Sequence, residues 1–150
     1  MPDETMTELG EALELVGRGE RSQARRRLTA LWERVGPDGD PLHRCAVAHH
    51  LADLQDDLRE ELGWDLRALQ AADAITQERA EQAGVPGPVA GLQPSLHLNL
   101  GEDYRRLGDL PAARRHLELG QAAAGALGAD GYGSMIRRGL DALATRLAAP

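Results

Sequence analysis

A chain of 150 residues is the size of one ordinary domain, able to bury roughly 70% of its unfolded surface. Its net charge of −7 opposes the phosphate attraction on which general nucleic-acid binding rests, and a single cysteine, Cys45, excludes an intrachain disulfide and a multi-cysteine zinc site. Phe is absent, the apolar content is mostly Ala and Leu, and no run of alternating β-branched residues occurs, so the expected fold class is all-α over a single domain, residues 1–150.

In chain order, the apolar spacing predicts a helix from about Thr5 to Val16, a Gly-Arg-Gly turn, and a second helix from about Arg21 to Val35. Gly36-Pro37-Asp38-Gly39-Asp40 ends that helix. Asp40 then caps a third, with Pro41 in its first turn, running to about Gln55. A fourth begins after Asp57, whose carboxylate pairs with Glu60 in a capping-box-like arrangement, and continues to about Ala83. Gly84 to Pro94 holds three prolines and three glycines and is the expected mobile loop. Two more helices flank Gly108-Asp109. A seventh follows Gly125 to Gly133, with Met135, Ile136, Leu140, Leu143 and Leu147 on one face.

The most specific stretch is Leu100 to Gly120. Gly101 lets a facing helix approach closely, Tyr104 one turn on fills the space beyond it, and Gly108 supplies a left-handed helix end. Asp109 caps the next helix, Pro111 fits its first turn, and Ala113, Leu117 and Gly120 continue the packing face. Ala12, Leu15, Gly19, Ala24 and Leu28 repeat the same small, large, turn, small, large order without a gap, and Leu31 falls opposite Gly120. A middle copy is divergent: Asp56-Asp57-Leu58 aligns with Gly108-Asp109-Leu110 and Ala68 with Gly120, but Glu61 and Asp65 occupy apolar slots.

That order resembles the tetratricopeptide repeat, with His97 where the family pattern usually places a large aromatic residue. The resemblance implies an α-α superhelix of about three helical hairpins plus a C-terminal capping helix, and a role in binding a protein or peptide. It also implies that the first helix of each pair lines a groove. Carried over slot by slot, the third copy offers Ser95, Leu98, Glu102, Arg105 and Arg106, and the second offers His43, Ala46, His50 and Asp53. The family variant that clamps a peptide's terminal carboxylate uses Lys and Asn in slots held here by Leu98 and Glu102. That departure argues against recognition of a chain terminus and for a polar or partly basic segment.

The densest polar cluster spans His43 to Asp65. Placing Val47, Leu51, Leu54 and Leu58 toward the core puts His43, His50 and Asp53 along one border of that face, with His49 nearly opposite. The cluster reads as caps and salt bridges around a tight turn, with a metal site and partner contact as the two alternatives. Trp64 reads as a packing residue between hairpins rather than a ligand platform, and Cys45 as a small buried hydrophobe rather than a reactive thiol. No nucleophile elbow, no phosphate-cradling loop before a lysine and no His-Glu-x-x-His pattern is present.

The expected function is therefore a non-catalytic module that binds a protein or peptide, including another copy of itself, with no cofactor and no resident metal. Two alternatives are a metal-dependent enzyme or sensor built on His43, His49, His50 and Asp53, and a stand-alone ligand-responsive regulatory domain. No apolar run approaches the roughly 20 residues a membrane span needs, and the first residues are acidic and polar, so the expected compartment is the cytoplasm and no membrane partner is expected.

Overall fold

Helix-favouring Ala, Leu, Glu and Arg dominate the segments between residues that can cap a helix end, and the described residues form eight α-helices and no strand. The computed structural model describes residues 3–149, which divide into two compact units, one ending at Ala71 and the other starting at Ala72.

The first unit is built from α1 (Glu4–Gly17), α2 (Arg21–Val35), α3 (Pro41–Asp53) and most of α4 (Leu58–Ala72). Carboxylates start three of these helices, α1, α3 and α4. Asp3 accepts from the Met6 N–H, Asp40 from the Leu42 N–H at 2.9 Å, and Asp57 from the Glu60 N–H at 3.0 Å. Gly19, with φ of +81°, turns the chain between α1 and α2. Ala12, Leu15, Ala24 and Leu28 meet at that hairpin, and Val47 and Leu51 of α3 complete the core. Trp32 and Trp64 touch edge to face, with ring centroids 5.1 Å apart, and the guanidinium groups of Arg44 and Arg67 lie over their respective faces. Trp64 is thus a packing residue. In the divergent copy, Ala68 and Asp65 are both buried, so the slot filled by Leu117 elsewhere is an interior position here too.

The fourth helix is shorter than its sequence pattern predicts. Its end at Ala72 is marked by the Ile75 N–H bonding back to the Ala72 carbonyl, after which Thr76 starts a separate short helix, α5 (Gln77–Gln82). The Thr76 hydroxyl accepts from the Arg79 N–H at 3.1 Å, and burial of Ile75 anchors the turn.

The second unit holds α5, a 3₁₀ turn at Val89–Leu92, α6 (Gln93–Leu107), α7 (Leu110–Ala123), a 3₁₀ turn at Ala124–Ala126 and α8 (Gly131–Ala148). Gly108 has a φ of +88° and Asp109 accepts from the Ala112 N–H at 3.1 Å, so α6 and α7 form a tight hairpin. Gly101 marks a close approach of α6 to α7 and α8. A Cβ placed there would lie 2.6 Å from Leu143 Cδ2 and 3.4 Å from the Ala113 carbonyl oxygen. Ala113 and Leu117 pack with Ile136, Leu140, Leu143 and Leu147 of α8, while Met135, grouped with that face by its spacing, is 53% exposed. Burying each of those α8 side chains is worth about 1.5–3 kcal/mol.

The segment expected to be helix-free contains the Val89–Leu92 turn, and α6 already begins at Gln93. Its backbone is tied to α5, because the Gln77 side chain accepts from the Val89 N–H at 2.7 Å and donates to the Gly87 carbonyl at 3.4 Å.

Candidate functional site

The C-terminal turns of α3 bring three chemistry-bearing side chains together. His49 precedes Asp53 by four residues and His50 precedes it by three, so each histidine lies about one helical turn from Asp53 and within reach of it. One ring nitrogen of each histidine and one Asp53 carboxylate oxygen lie within 4.8 Å of one another. The two rings meet edge to face with centroids 5.0 Å apart. His49 Nδ1 is buried and has no hydrogen-bond partner among the described residues. Burial, with His49 beside it, pushes His50 down to about 4, so its ring is neutral at physiological pH. Although Asp53 is exposed as a residue, partial desolvation of its carboxylate by its neighbours raises it above the usual carboxylate range and Glu61 adds to that, while His49 and Arg21 pull the other way. Arg21 also donates to the Asp53 main-chain oxygen at 3.3 Å and pairs with Asp56 at 3.6 Å, fixing the helix end from α2.

His43, grouped with these residues by sequence, is not part of the convergent set. Its Nε2 lies 2.7 Å from Asp3 Oδ2, joining the first turn of α3 to the cap of α1. Cys45 is buried among apolar side chains and its thiol is pushed up to about 11, which leaves it protonated and inert.

The residues assigned to the third copy all lie on α6, and α8 meets several of them. Leu98 packs toward α8 at Gly139, where an added Cβ would collide with the Leu98 side chain. Glu102 takes Arg105 on its own helix and Arg146 of α8, the latter at 3.2 Å, and these partners hold its carboxyl below the usual range. Ser95 is half-buried, with its hydroxyl 3.5 Å from the Leu92 carbonyl oxygen, and Arg106 is exposed. On this polar edge of α6, Glu102 is thus engaged with both Arg105 and Arg146.

Two features of the second unit escape the sequence reading. His97 and His116 face each other across the α6–α7 hairpin with Nδ1 atoms 3.0 Å apart, and His116 stacks on Tyr104 with an interplanar angle of 9°. One ring must donate and the other accept, so the two carry opposite tautomers. Burial, followed by the neighbouring His97 and Arg115, pushes His116 down to about 4. Burial also lowers His97, against an opposing pull from Asp73. The signal for this pair was His97 in a slot expected to be aromatic; its partner follows only from the hairpin register.

The second feature is a cleft of about 590 Å³ between the 85–92 loop and the 125–132 loop, with Val85, Pro86, Leu92 and Leu127 on its walls and Asp130 and Tyr132 among its lining residues. Among the described residues, no helix is long and apolar enough to cross a membrane. Family models, curated proteins and solved structures all give no match to this chain.

Proposed function

We propose that the chain is a tetratricopeptide-like binding module that holds a protein or peptide on helical hairpins and performs no chemistry of its own. The observation that carries this reading is the shared small, large, turn, small, large order. Ala12, Leu15, Ala24 and Leu28 in one hairpin, and Gly101, Ala113 and Leu117 in the other, all occupy helix-crossing positions, with Gly19 and Gly108 turning the chain. Helices zipped together by small residues leave their outward faces for recognition. On α6 the edge beside α8 carries Glu102, Arg105 and Arg106, which suits a polar segment of mixed charge held by exchange of ion pairs.

Peptide display on the immobilised full chain, followed by calorimetry of the selected peptides, tests the reading. A variant carrying Glu102→Ala, Arg105→Ala and Arg106→Ala is expected to bind them at least tenfold more weakly. Selection no better than on empty support removes the binding role, and equal binding by the variant removes the α6 assignment.

The cleft between the two loops favours a second reading, a ligand-responsive regulatory domain. Its volume falls within the range of small-molecule sites, and Asp130 and Tyr132 supply a carboxylate and an exposed ring to an otherwise apolar wall. This reading expects a rise in melting temperature with some member of a small-molecule panel, lost on Leu92→Asp. A panel without any such response retires it.

A further inference from the structure

From the convergence of one nitrogen of His49, one nitrogen of His50 and one oxygen of Asp53 at the end of α3, we infer a binding site for a single first-row divalent cation of the zinc class, independent of the peptide-binding role. Two imidazoles and a carboxylate form a donor set of borderline softness that suits Zn²⁺ and its neighbours rather than Ca²⁺ or Mg²⁺. The three donor atoms already lie within 4.8 Å of one another. Bonds of about 2.0–2.1 Å to a tetrahedral ion draw them to roughly 3.3 Å apart, a contraction that side-chain rotation supplies.

Three further observations support the site. His49 Nδ1 is buried without a hydrogen-bond partner among the described residues, whereas buried polar atoms are ordinarily satisfied. The site sits at the C-terminal end of a helix, where the orphan carbonyls and the macrodipole favour a cation. Asp53 is exposed, so an ion can enter from solvent, and three protein ligands leave coordination positions for water. Among neighbouring charges, Glu61 on α4 favours the ion and Arg21 on α2 opposes it, and Arg21 is engaged with the Asp53 main chain and with Asp56. Binding needs no oxidant or co-reactant; the ion exchanges aqua ligands for the three side chains.

The test is calorimetric titration of Zn²⁺ into the full chain with any affinity tag removed, together with long-range ¹⁵N correlation spectra of the five histidines. The expected result is one Zn²⁺ per chain, displacement of the ring-nitrogen signals of His49 and His50, and loss of affinity by about tenfold or more in His49→Ala and in Asp53→Asn. The exposed Asp53→Asn variant guards against a folding defect in the histidine variants, and His97→Gln should bind as the wild type does. No saturable uptake overturns the inference. So does uptake that survives Asp53→Asn and His49→Ala unchanged, or that displaces only the His97 and His116 signals. Because the readouts are ion stoichiometry and imidazole shifts, the outcome is separate from whether any peptide binds.

Discussion

At the scale of single residues, packing and protonation set the sharpest expectations. Leu28 is fully buried in the first unit, and Leu28→Ala is expected to cost about 2–5 kcal/mol in urea unfolding, because the lost contacts leave a cavity. Gly101→Val crowds Leu143 and the Ala113 carbonyl and should cost about 1–3 kcal/mol by overpacking, measured the same way. The His97–His116 pair gives a pH dependence of definite sign. Both groups titrate lower in the fold than the ordinary 6.5, His116 at about 4, so the unfolded chain binds more protons between those values. Their contribution is fully present above about 6.5 and is lost as pH falls toward 4. Melting temperature should therefore decline across that window, and His116→Leu should flatten the decline. A slope unchanged by His116→Leu would assign the acid sensitivity to other groups. Sequence alone marked His97 as unusual but could not name its partner 19 residues away, because the pairing depends on how two helices align across the hairpin.

At the scale of elements, caps decide where helices begin. Asp109→Ala removes the side-chain bond to the Ala112 N–H and is expected to cost about 1 kcal/mol, whereas Asp38→Ala, in an exposed turn, should be close to neutral in the same denaturation experiment. The starts at Asp40, Asp57 and Asp109 and the turn at Gly108 were legible in the sequence because cap chemistry is local: a short carboxylate or a glycine acts on amides within three residues. The break after Ala72 was not legible, since no Pro or Gly stands there and the helical pattern runs on through Ala74 and Arg79. There the decision falls to the Thr76 hydroxyl and to buried Ile75, one a weak local signal and the other a matter of tertiary packing. The α3 cluster was legible only in part. Helical spacing paired His49 and His50 with Asp53, but it also drew in His43, which Asp3 claims from the start of α1.

At the scale of the molecule, charge and core organisation govern. A net charge of −7 opposes phosphate, and Arg27, Arg34 and Arg105 are engaged with Glu11, Glu8 and Glu102, so the expected outcome with labelled duplex DNA at physiological salt is no change in polarisation up to high protein concentration. Saturable binding there would contradict the charge reading. The all-helical fold was legible from composition, since Ala, Leu and Arg dominate and no β-branched alternation occurs; the division into two units was not, because the chain crosses from one to the other within a run of helix-favouring residues. The edge-to-face indole contact has a spectroscopic outcome. Trp32 and Trp64 are the only tryptophans and both belong to the first unit, while the only tyrosines, Tyr104 and Tyr132, belong to the second. Indole emission excited at the red edge therefore reports on the first unit alone, so its melting can be followed by a native chromophore, without a label.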